Sequence, residues 1–146
     1  MRDDKRNFRI NMAIVLVPIV IVTVRSLVSG GSGVDFTLTE DSLSFSGPGE
    51  FEVSVEFKNL ASVSFRENLE LGDCITGGSE KGYTYGVWKN EEFGEYALHV
   101  LTKVQAYVIL TEADGSTVVA NFENARTTED FSKNLIEYLQ CMGYLL

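Results

Sequence analysis

The chain of 146 residues has two prolines, two cysteines, one histidine and few cations beyond its first nine positions. Each shortage excludes something. Pro18 and Pro48 cannot make a proline-rich linker or recognition segment. Cys74 and Cys141 stand 67 positions apart, which fits neither zinc-ligand nor CxxC redox spacing. They could bridge only if their α-carbons came within about 7 Å, and are otherwise two free, partly buried thiols. His99 sits among Leu98, Val100 and Leu101, and no serine occupies a nucleophile-elbow context. A packed or surface histidine is expected there rather than a catalytic base. From Val34 onward seven basic residues face nineteen acidic ones, a net of −12. Nucleic acid and anionic lipid headgroups bind clustered lysine and arginine, so both are poor ligands for this body.

What is present first is an uncharged run, Ile10 to Val24, between Arg9 and Arg25. Fifteen residues are short for a spanning helix; continuing to Val28, with Arg25 snorkelling, gives nineteen, which suffices. Pro18 is tolerated within a membrane helix. Three readings stay open: an uncleaved single-pass anchor over 10–28, a signal peptide cleaved near Val28-Ser29-Gly30, or a buried segment of a soluble fold. The anchor is preferred because Ser29-Gly30-Gly31-Ser32-Gly33 follows as a natural tether. Residues 1–9 then form a basic tail and 34–146 the folded domain. Arg2, Lys5, Arg6 and Arg9 precede the run and only Arg25 closely follows it, so the N-terminus is expected in the cytoplasm and the domain outside.

Beyond the linker, apolar residues recur with a period of two. Phe36-Thr37-Leu38 and Leu43-Ser44-Phe45 flank a polar turn, and Gly47-Pro48-Gly49 is a second turn signal. Phe51, Val53, Val55 and Phe57 oppose Glu50, Glu52, Ser54, Glu56 and Lys58, the pattern of a half-buried strand. A break at Asn59 precedes a strand at Val63 and Phe65. Residues 67–81 are polar and glycine-containing and read as a long mobile loop. Further strands are expected at Tyr83–Val87, Glu95–Val100, Val104–Thr111 and Thr117–Phe122, the last two joined at Asp114-Gly115. The period then changes. Thr127-Thr128-Glu129-Asp130 offers a cap and an acidic first turn, and Phe131, Leu135, Tyr138, Leu139 and Met142 mark one helical face ending at Gly143. Six or seven strands and a C-terminal helix imply a mainly β domain, most economically a partly closed barrel with the helix at one open end.

Gly82-Tyr83-Thr84-Tyr85-Gly86-Val87-Trp88, the strand through Val108-Ile109-Leu110-Thr111, the Asp114-Gly115 turn and Thr128-Glu129-Asp130-Phe131 together resemble bacterial pleckstrin-homology-like (PH-like) domains of small membrane-anchored proteins. The resemblance spans roughly 34–139. It implies a partly open antiparallel barrel of about seven strands capped by the C-terminal helix. It brings no phosphoinositide pocket, because the first hairpin here carries Thr39-Glu40-Asp41-Ser42 instead of a basic loop.

No catalytic residue, cofactor site or metal site emerges from these patterns. Glu112 and Asp114 read as a solvated turn, and Glu91, Glu92 and Glu95 as an acidic exposed hairpin. Tyr83, Tyr85, Trp88, Phe93 and Tyr96 fall within fourteen residues; they fill the core or form a partner-facing aromatic patch. The expected function is a membrane-anchored, non-enzymatic interaction domain that binds a protein partner or itself, through a strand edge or beside the final helix. The alternative is an extracytoplasmic small-ligand or cation binder built on the 67–81 loop.

Overall fold

The alternation from Phe51 to Phe57 becomes strand because it puts one apolar face inward and leaves Glu52, Ser54 and Glu56 exposed. The computed structural model describes residues 35–47 and 51–145. The expected anchor, tail and linker (1–33) and Pro48–Glu50 lie outside them. Among the described residues no helix is long and apolar enough to cross a membrane. All described residues belong to one compact unit, Ser32–Leu146.

The chain forms β1 (Asp35–Leu38), β2 (Ser42–Ser46), β3 (Glu52–Glu56), a 3-10 turn (Phe57–Asn59), β4 (Leu60–Glu67), β5 (Asp73–Glu80), β6 (Tyr83–Asn90), β7 (Gly94–Leu101), β8 (Ala106–Glu112), β9 (Thr117–Ala120) and α1 (Ala125–Met142). The mainly β domain with one C-terminal helix is as expected. The strands, however, form two sheets rather than the one partly closed barrel expected: an antiparallel β1-β2-β3 sheet and a six-stranded β4-β8-β9-β7-β6-β5 sheet. Among the described residues that makes nine strands instead of about seven. The large sheet is also mixed, since β9 lies between β7 and β8 and runs parallel to β7. The Asp114-Gly115 turn sends β9 back into a slot that the 102–105 connection leaves open.

Asn121 seals that slot. Wholly buried, its side chain accepts from the Leu101 amide at 2.7 Å and donates to the Leu101 and Val104 carbonyls at 3.2 and 3.0 Å. It satisfies backbone groups that β9, ending at Ala120, no longer reaches.

Facing residues of paired strands share a sheet face, so the register sorts the core into two layers. One face carries Tyr83, Ala97, His99, Val108, Leu110, Val118 and Ala120, and lies beneath the small sheet and α1. Phe36 meets Phe122 and Phe131 edge-on at ring-centroid distances of 5.3 and 5.2 Å. Phe45 and Phe51 stack on His99. The opposite face holds Tyr96, Leu98, Val100, Tyr107, Ile109 and Val119, closed by Leu69 and Leu71.

Those two leucines belong to a strap, residues 68–72, that crosses the sheet from the end of β4 to the start of β5 at the far edge. The Asn68 amide donates to the Gln105 carbonyl at its start, and the Tyr96 hydroxyl donates to the Leu71 carbonyl at 2.6 Å near its end. Arg66 on β4 grips both oxygens of Glu92 in the β6–β7 turn at 2.6 and 2.7 Å. In a flat sheet those elements would be roughly 15 Å or more apart, so the sheet coils over this second core.

The helix begins earlier than the Thr127-Thr128 expectation. Asn124 is the N-cap, its side chain accepting from the Thr127 amide, while buried Thr128 donates to the Asn124 carbonyl and accepts from the Phe122 amide. A side-chain cap of this kind contributes about 1 kcal/mol. Gly143 ends the helix as expected, left-handed at φ 82°, with the Tyr144 amide donating to the Leu139 carbonyl and the Gly143 amide to that of Gln140. Leu135 and Leu139 are buried, but Met142, in the last turn before the Gly143 cap, is exposed. Cys74 and Cys141 are free, and both are exposed rather than partly buried.

Candidate interaction edge

Residues 67–81 are not a loop. After the strap, Asp73–Glu80 pairs with β6 along its whole length, and the chain reverses at Lys81-Gly82. Both turn residues have positive φ, 52° and 79°, which makes the two-residue connection whose twist matches a hairpin. The strand escapes a periodicity search because it buries nothing. Seven of its eight residues are exposed, and Gly78 is the exception.

β5 is an edge. Its inner side bonds to β6, and among the described residues no strand lies beyond it. The other edge of the large sheet, β4, packs against α1. β5 therefore presents a row of backbone donors and acceptors to solvent, the element that strand addition uses. Two features shape it. The register slips between Cys74 and Thr76, leaving Ile75 as a bulge residue, 49% exposed. Further along, Gly77 faces Gly86, with φ of 101° and 118°. A β-carbon on Gly86 would run into the Thr76 carbonyl, and one on Gly77 into that of Tyr85. The two backbones are too close for any other residue pair. At Gly78, by contrast, an added β-carbon would meet nothing within 4 Å. Here the edge has an open notch, opposite Tyr85.

The five candidate aromatics do not form one patch. Tyr83 and Tyr96 are 2% and 3% exposed, so neither faces a partner. Tyr83 lies on the His99 face, and burial raises its phenol well above the ordinary range. Tyr96 sits under the strap, and burial pushes its phenol up to about 12. Phe93 packs on Tyr96 at 5.5 Å, and half-buried Trp88 closes the same cluster while donating to the Tyr85 carbonyl at 3.2 Å. Tyr85 is half-buried on the opposite face. The parity of the positions carries this split: 83, 85 and 87 share one face of β6, and 88 takes the other. Tyr85 and Trp88 are thus the two that flank β5, one on each face.

His99 is a core residue, wholly buried between Phe45, Phe51 and Tyr83. Its Nδ1 is 3.4 Å from the Tyr83 hydroxyl, while Nε2 has no partner among the described residues. Burial lowers its pKa to about 4, so the ring is neutral at physiological pH. Asp114 is exposed and bonds the Ser116 amide at 2.8 Å, shaping the β8–β9 turn. Glu92 is committed to Arg66, which holds its carboxyl below the usual range. Among the described residues no three His, Cys, Asp or Glu side chains converge as a metal site would need. A shallow groove of about 210 Å³ lies between Asp41, Ser42, Ser54, Glu56, Lys58 and Tyr144, but Lys58 and Glu56 already pair across it at 2.9 Å. Comparison with protein-family models, with curated proteins and with solved structures returns no match for this chain.

Proposed function

We propose that this chain is a membrane-anchored, non-enzymatic interaction domain that binds a protein through the open edge of β5. One observation carries the reading: β5 is a complete strand that contributes almost nothing to either core, yet is held in register by a tight turn and a glycine pair. A strand that neither buries apolar surface nor lies under another element is free to accept a further strand. The anchor is supported by the uncharged run Ile10–Val24, and the outward orientation of the domain by the cations before it. Kinship with PH-like domains has in its favour an all-strand body ending in a helix; the parallel β7–β9 pair and the separate small sheet weigh against it. The cation-binding alternative loses the loop it required, since Asp73 and Glu80 occupy opposite ends of a paired strand.

A photo-reactive residue placed at Ile75 of the full chain, in its own membranes, tests the reading. Covalent capture of protein at Ile75 and not at exposed Lys133 is expected. Equal or absent capture at both positions, or turnover of a substrate by the purified chain, overturns it.

A further inference from the structure

We propose that the small sheet is an acid-released flap: when the His99 ring takes up a proton, β1-β2-β3 swings off the large sheet about the Phe57–Asn59 turn and uncovers apolar surface, while the rest of the fold holds. Neither this reading nor that of the β5 edge depends on the other.

The small sheet is attached in a way that lets it lift. Among the described residues no backbone hydrogen bond and no ion pair joins β1, β2 or β3 to the large sheet. The polar tie to α1 is the Tyr138 hydroxyl on the Glu40 carbonyl, a long 3.4 Å. The rest of the join is side-chain packing: Phe36 on Phe122 and Phe131, Phe45 and Phe51 on His99, and Phe57 on Tyr138 and Tyr144. The turn after β3 is pinned at both ends. The Phe57 amide donates to the Asp41 carbonyl in the flap, and the Asn59 carbonyl accepts from the Ala113 amide beyond β8. A hinge belongs between those two bonds. Lifting the flap leaves the second core under the strap untouched, and α1 stays on β4 and β8.

His99 sits where the flap closes. Both phenyl rings stacked on it, Phe45 at 6.4 Å and Phe51 at 5.0 Å, come from the small sheet's side of the join. Nδ1 lies 3.4 Å from the Tyr83 hydroxyl, and Nε2 has no partner among the described residues, so a second ring proton would find no acceptor. The phenyl faces attract a cation, but less than the water it gives up on burial. No carboxylate compensates. Asp35 on β1, Glu52 and Glu56 on β3 and Glu95 on β7 itself are exposed, while β2 and β9 carry no charged residue. β6 brings the phenols of Tyr83 and Tyr85 beside the ring. α1 packs over β4 and β8, with β9 between them and β7. Burial alone therefore holds the ring neutral, with a pKa of about 4. Once the flap lifts, water reaches the ring and it titrates near 6.5, so acid favours the open form by about tenfold per pH unit between those values.

The test uses the full chain in detergent micelles with Cys74→Ser and Cys141→Ser. Val55→Cys on the underside of the flap and Val119→Cys in the second core are made separately; both positions are buried. A pyridyl disulfide, which reacts with thiols in acid, labels each, and rates are divided by that of the unfolded chain at the same pH. Labelling at Val55→Cys is expected to rise roughly tenfold per pH unit from about pH 6 to about pH 4.5. It is expected to outrun labelling at Val119→Cys by roughly tenfold or more throughout. With His99→Gln, and independently with His99→Leu, the rise is expected to vanish. Equal rates at the two probes would mean that His99 is reached only through global unfolding, and overturn the inference. A rate at Val55→Cys that is flat with pH, or that rises unchanged without His99, overturns it as well.

Discussion

Strands β8 and β5 belong to the same sheet and are seven and eight residues long, yet they are made differently. β8 has five consecutive buried residues, Ala106 to Leu110, covered on both faces and paired on both sides. β5 has no buried residue and, among the described residues, only one neighbour. β8 is held by apolar burial, worth roughly 1.5–3 kcal/mol for each large side chain. β5 is held by backbone bonds to β6, a two-residue turn and the Gly77–Gly86 contact. Removing side chains should therefore damage the first strand and spare the second, while changes of backbone geometry should damage the second.

The largest effect expected is at Leu110, 1% exposed between Val63 and Val118. Leu110→Ala should lower stability by about 2–5 kcal/mol in urea unfolding. A smaller loss would mean that β8 is not the centre of the core.

Acid should act next, and through the buried side of the molecule. His99 stays neutral in the folded chain down to about pH 4, whereas in the unfolded chain it takes up a proton near 6.5. The unfolded state thus binds more protons between those values, and stability falls as pH drops through that window, by about 3 kcal/mol at most. Above pH 6.5 this contribution is fully present and flat. A His99→Leu variant should lack the slope when thermal unfolding is followed from pH 7 to pH 4.

Gly86→Ala sharpens the contrast from the β5 side. It adds only a methyl group, but at φ 118° and against the Thr76 carbonyl, and should cost about 1–3 kcal/mol. Ile75→Ala, which removes three carbons from an exposed bulge, should change stability by less than about 0.5 kcal/mol. If the order of these two were reversed, β5 would be held by its side chains after all.

Where burial leaves a period, the sequence could be read. Phe51 to Phe57 announces β3, Asp114-Gly115 the β8–β9 hairpin, and Gly143 the end of the helix. Cys74-Ile75-Thr76-Gly77-Gly78-Ser79 has no such period, because both of its faces are exposed, and so the strand that matters most for the proposed function looks like a loop. The available signal was the Lys81-Gly82 turn, which implies a strand on each side. The parallel β9 was hidden for another reason: β7, β8 and β9 follow one another in sequence like a simple meander, and nothing local says that the third slips between the other two. The parity of Tyr83, Tyr85 and Trp88 did hold the division of the aromatics between two faces.

Amide hydrogen exchange on the full chain, read strand by strand at low protein concentration, tests the account most directly. In dilute solution β8 should exchange only through global unfolding. The β5 amides that point away from β6 should exchange freely. Uniform protection of β5 at the lowest concentration, equal to that of β8, would mean the edge is already covered and contradict the account.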